Sequence, residues 1–158
     1  MLDIKALARE VSSSLPEWLL EKLKAIILFG SVARGENSDG SDLDFLVLVE
    51  GLSGTPVERS RVVYKGFRTI RQKSKRDTSI VVATLAEMKT VTPFIINVAF
   101  DGIVLYDVDG EALEILNRVK ESVRQAGLER YRTSDGGYGW KPGRSLRPGE
   151  RILVELKE

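Results

Sequence analysis

Ile4, Leu7 and Val11 recur at helical spacing, which predicts an amphipathic helix over residues 2–11. Ser12, Ser13 and Ser14 interrupt it. Pro16 opens a second helix with a serine as its cap, and Trp18, Leu19 and Leu23 form the buried stripe. The period then changes. Residues 25–29 (AIILF) are a continuous apolar run that stops at Gly30, and residues 43–49 (LDFLVLV) are a second; both read as buried strands. Between them the sequence allows one helical turn at 32–35 and then ENSDG at 36–40, turn chemistry throughout. Thr55, Pro56 and Glu58 spell a capping box with proline at the first helical position, and the helix runs to about Lys75 with Val63, Phe67 and Ile70 on one face. Residues 79–84 form a third strand. Residues 85–97 are helical with a break near Pro93, and 103–106 form a fourth strand. Asp109 caps a last helix that ends at Gly127.

After that the pattern loses its period. Residues 130–150 mix glycines, arginines, Tyr131, Tyr138 and Trp140, which reads as a loop or tail, and 151–156 as one edge strand. The expected organisation is a domain at 1–128 and a Gly-, Arg- and aromatic-rich extension at 129–158.

Composition narrows the chemistry. The chain has 158 residues, 42% of them hydrophobic, enough for a core. No apolar run approaches the ~18 residues that span a bilayer, so no membrane role is expected, and the N-terminus lacks a signal-peptide pattern, so the expected location is cytoplasmic. Histidine and cysteine are absent, which excludes disulfides, thiolate or imidazole zinc sites, and Ser-His or Cys-His catalysis. A metal here must take oxygen ligands, which favours Mg²⁺ or Mn²⁺.

Gly30 and Ser31 stand where a buried strand passes into a helical turn. Glycine lets an anion approach the backbone, free N–H groups at a helix start attract it, and the serine hydroxyl adds a donor. Asp42 and Asp44 flank Leu43 at the start of the next strand, so both carboxylates project from one face. Like charges at ~4 Å repel by roughly 4 kcal/mol at an effective dielectric of 20, and a divalent cation reverses the sign. Arg34 either contacts a phosphate or pairs with a nearby acid.

The run GSVARG at 30–35 followed by SDLD at 41–44 resembles the signature of the DNA polymerase β-like nucleotidyltransferase superfamily, and the chain's size resembles its minimal branch. The match is close over residues 18–50, looser to the segment DGIVLYD, and fades after about residue 126. The resemblance implies an α+β fold of the polymerase β palm type: a small mixed sheet with helices mainly on one face. It implies nucleotide-phosphate contacts at Gly30 and Ser31, with Arg34 and Ser41 beside them, and Mg²⁺ at Asp42 and Asp44. The implied reaction moves a nucleoside monophosphate, AMP from ATP, onto a hydroxyl. A third carboxylate normally comes from the next strand and helps activate that hydroxyl. Here Ser79 stands at the usual place, and Asp77, two residues earlier, is the candidate. Two carboxylates alone would leave a nucleotide- and partner-binding module of weak activity.

Residues 55–76 hold eight lysines and arginines against one acid, Glu58. This run is either a solvated helix face or a docking surface for an acidic partner or RNA. The resemblance also implies a protein partner, a HEPN-type toxin neutralised by the transferase. An RNA end or a small molecule is the other acceptor class.

Overall fold

The computed structural model describes residues 2–157. Helix α1 spans Ile4–Ser14, capped by the Asp3 carboxylate on the Lys5 and Ala6 amides, and the single turn α2 spans Glu17–Leu20. Strand β1 (Leu23–Phe29) leads into the turn α3 (Gly30–Ala33), and β2 is Leu43–Val49. Helices α4 (Pro56–Gly66) and α5 (Arg68–Ser74) carry the chain to β3 (Thr78–Ala83). Then come α6 (Leu85–Met88), α7 (Pro93–Asp101), β4 (Ile103–Asp107) and α8 (Glu111–Gln125). A hairpin, β5 (Leu128–Arg132) and β6 (Tyr138–Pro142), follows.

The main sheet has the order β3-β2-β1-β4. β1 pairs antiparallel with β2 and β4, whereas β2 and β3 are parallel. The α+β class with a small mixed sheet is therefore observed. Its two central strands are the two continuous apolar runs, as burial on both faces requires.

Alternation along β1 and β2 divides the core into two layers. Ile26, Leu28, Leu43, Phe45 and Val47 face α1, α2, α4 and α5, while Ala25, Ile27, Leu46 and Leu48 face α6, α7 and α8. The helices, expected mainly on one face, thus cover both. The apolar runs already carried this information, because a strand apolar at every position has no face left for water. Arg59 in α4 closes the edge at β3: it is buried and donates to Glu87 of α6 at 2.8 Å.

Several boundaries differ from the sequence expectation for identifiable reasons. Pro16 is the N-cap of α2 rather than its first residue, and no side chain caps that turn. Leu23 belongs to β1 instead of the α2 stripe, and Trp18 is exposed. The expected long helix at 55–75 keeps its capping box but breaks at Phe67. Gly66 weakens the helix there, and a Cβ on it would meet Leu19 at 2.6 Å. The break lets Phe67 pack on Phe45, ring centroids 5.4 Å apart. Asp109 is not the cap of α8: it pairs with Lys24 at 3.3 Å, Gly110 occupies the N-cap, and Asp107 accepts from the Leu113 amide.

The expected loop at 130–150 contains the hairpin. Arg130 lies opposite Trp140 and Arg132 opposite Tyr138, a period of two that glycine content masks. The hairpin packs on the preceding elements: Trp140 stacks on Phe100 and donates to Asn97 at 2.8 Å. The edge strand expected at 151–156 is not formed. Val154 and Leu156 pack on the second layer and Leu153 is exposed, so the alternation there reports one-sided burial without a pairing partner.

Phe45 is fully buried at the centre of β2. Phe45→Ala is expected to cost about 3–5 kcal/mol of stability, read from urea unfolding followed by circular dichroism.

Candidate active site

The site begins where β1 ends. Gly30 has φ +75°, a backbone conformation that favours glycine, and it turns the strand into α3. No side chain caps the first turn of α3, which leaves its N–H groups, including that of Ser31, open to an anion.

Across the ladder, Phe29 pairs with Asp44. A Cβ added to Gly30 would run into the Asp44 carboxylate, with Cγ at 3.2 Å. Glycine is therefore required twice, once by its dihedral and once by the acid beside it. Asp44 follows Leu43 and precedes Phe45, so it shares the α7 and α8 face with Leu46 and Leu48, at the open end of that layer. Burial pushes its carboxyl above the ordinary aspartate range, the Asp42 charge pushes it further, and the Arg34 charge partly offsets both. The two aspartates thus repel each other, as the sequence spacing implied.

Ser41 also holds its own loop. Its hydroxyl accepts from the Ser38 amide at 2.9 Å, closing the loop that delivers Asp42. Its carbonyl accepts from Arg76 at 3.0 Å. Arg34 is held by two acids: Nε lies 2.9 Å from Glu36 and Nη1 3.6 Å from Asp101.

Asp77 is brought close through its backbone. Its carbonyl accepts from the Leu43 amide at 2.8 Å, between the two aspartates, and Ser79 pairs with Asp44. Asp77 also lines a neighbouring cleft with Arg68, Arg71 and Arg76. Among the described residues no group of three or more acids is gathered to hold one ion.

Two carboxylates still fit a divalent cation. Mg²⁺ is commonly held by one or two carboxylates, with substrate phosphates and water filling its other positions. The oxygen-only donor set, the mutual repulsion at Asp44 and the bare backbone at Gly30 all suit that arrangement.

Sequence reasoning missed a second cluster beside Arg34. Asp101, at the end of α7, has only 8% of its side chain exposed and takes a two-pronged contact from Arg130 of the hairpin, at 2.8 and 2.5 Å. Tyr138 donates to Glu36 at 2.5 Å and Arg132 reaches the same carboxylate at 3.3 Å. The Tyr138 ring lies under Arg130 at 3.8 Å and under Arg34 at 5.0 Å. The hairpin is thereby tied to the loop that carries Arg34. Alternating Arg130 and Arg132 were the available signal.

Comparison with known proteins agrees with the geometry. Residues 4–106 match the nucleotidyltransferase domain family, and the chain belongs to it. It is a nucleotidyltransferase. A Methanocaldococcus jannaschii protein, assigned provisionally by its name to the protein adenylyltransferases, is 30% identical over 95 residues, 60% of this chain and 90% of its own. Among solved structures, a toxin–antitoxin protein with AMP-PNP aligns over 78% of this chain and 92% of its own, at 17% identity and a TM-score of 0.45. A Sulfolobus solfataricus protein described provisionally as a nucleotidyltransferase aligns over 66% and 78%, at 26% identity and 0.42.

Gly30→Ala is expected to lose about 1–2 kcal/mol from the backbone alone and to displace Asp44, so Mn²⁺ affinity falls along with the urea midpoint. The Glu36 carboxyl is lowered to about 2, chiefly by Tyr138, then by Arg34. Its contribution is complete above the usual glutamate range near 4.5 and is lost as pH falls towards 2. In a Trp18→Phe background, Trp140 fluorescence should hold the hairpin's native signal further into acid than it does in Glu36→Gln. Superimposable titrations of the two proteins would refute that role for Glu36.

Proposed function

We propose that this protein transfers AMP from ATP to a hydroxyl on a partner protein, with Mg²⁺ or Mn²⁺ held by Asp42 and Asp44. The observation that carries the reading is one strand face: two mutually repelling carboxylates set against the bare backbone of Gly30. A divalent ion bound there would neutralise that repulsion and draw charge from the triphosphate. The amides at Gly30 and Ser31 hold phosphate oxygens in place. Arg34, fixed between Glu36 and Asp101, adds positive potential at the same end of the sheet.

The acceptor oxygen attacks the α-phosphorus, the bond to pyrophosphate breaks, and the hydroxyl proton must leave. Asp77 enters as the acceptor of that proton, a role supported by its backbone junction with Leu43 between the two aspartates. A protein acceptor is favoured by the likeness to the Methanocaldococcus jannaschii relative. A HEPN-type toxin is the partner that the superfamily resemblance implies. Weak turnover in a module that mainly binds is the second reading, and the missing third ligand favours it.

With α-labelled ATP, Mg²⁺ and the partner, Asp42→Ala and Asp44→Ala should each lower transfer at least ~10²-fold while circular dichroism stays unchanged. Asp77→Asn should lower kcat by about 10²-fold or more at unaltered Mn²⁺ affinity. Near-wild-type transfer in both Asp42→Ala and Asp44→Ala would sink the assignment. Absence of label with the intact protein, despite a tight complex, would establish the binding module instead.

A further inference from the structure

The basic run of α4 and α5 borders two neighbouring clefts that meet at Tyr64, and Asp77 stands at the margin of the first. Arg68, Arg71, Gln72 and Lys75 follow one another at helical spacing along α5 and, with Arg76, line a cleft of about 390 Å³. Among the described residues none of these four cations makes an ion pair. Of the run's other cations, Lys73 is turned towards Glu10 at 2.7 Å and Arg59 towards Glu87 at 2.8 Å.

Lys75 is the one described non-glycine residue with positive φ, +54°, at the C-cap of α5. Glycine would sit there without strain, so the lysine can be replaced by glycine without loss of the helix end.

The cleft runs on past Tyr64 into a less polar groove of about 480 Å³, where Val57 and Ile80 lie beside Arg61 and Lys65. Tyr64 lines both spaces; one side of its ring carries the Arg71 guanidinium at 3.7 Å, and 42% of the residue is exposed. Val57 is 60% exposed. Unpaired cations followed by exposed aromatic and apolar faces along one channel are what a single strand of nucleic acid needs: phosphates for the first, bases for the second. An acidic protein surface would use the cations and leave the apolar groove without a task.

We propose that α4 and α5 bind single-stranded nucleic acid, with its phosphates along Arg68, Arg71, Lys75 and Arg76 and a base against Tyr64 and Val57. The cleft shares Asp77 with the proposed transfer, but binding of the strand needs neither nucleotide nor metal. Binding is therefore measured without ATP and in the presence of EDTA, which also separates failure of one from failure of the other.

The probe is a fluorescein-labelled RNA of about 16 nucleotides, followed by anisotropy over a range of salt. Four phosphate contacts predict a slope of log affinity against log salt near −3, at roughly −0.7 per contact. Arg68→Ala combined with Lys75→Gly should bring it to about −1.4. Lys75→Gly alone should weaken RNA binding while leaving the melting temperature unchanged or higher, a pairing of effects that loss of fold cannot produce. The proposal is overturned if the intact protein does not bind the RNA at low salt, or if the double variant keeps the full slope. It is likewise overturned if polyglutamate displaces the probe and unlabelled RNA does not, which would assign the track to an acidic protein.

Discussion

The register between β1 and β2 is the constraint on which the rest depends. Phe29 stands opposite Asp44, and from that single pairing the turn at Gly30 and the acidic pair fall side by side. A slip of one residue would turn Asp44 into the layer filled by Phe45 and Phe67 and bring Leu43 to the site. The register is secured by burial on both faces, since β1 and β2 each contribute side chains to both apolar layers. Core packing and catalytic geometry are thus one specification.

The acidic pair sits at the end of a strand whose middle is wholly apolar, so its repulsion cannot be relaxed by moving the backbone. Arg34 moderates it from the side without pairing directly. Arg34 in turn answers to Asp101 and, through Asp101, to Arg130 of the hairpin. The charges around the site form a chain that crosses from the second residue run of the motif to the last regular element of the fold.

Local pattern was sufficient for β2, for the capping box at Thr55 and for the pairing of glycine with aspartates, because each rests on residues adjacent in sequence. What was illegible depended on residues far apart. The break at Phe67 follows from Leu19 pressing on Gly66, and the Asp101 cluster draws partners from positions 34, 130 and 138. The two-sided helix cover was present in the apolar runs and obscured by the resemblance. Asp77 shows the opposite difficulty: its place beside β2 was legible, while the cleft it shares with residues of α5 was not.

Parallel pairing of β2 with β3 has a consequence for how such a site diversifies. Parallel neighbours cannot be joined by a tight turn, so the chain must travel out over the sheet and return. That detour is α4 and α5, and it lies next to Ser41 by topological necessity. It is held by a few inward residues, Arg59, Val63, Gly66, Phe67 and Ile70, and its exposed positions can vary without disturbing the aspartates. The crossover is an obligatory span of chain whose length is set by geometry and whose outward composition is left open to selection for new specificity.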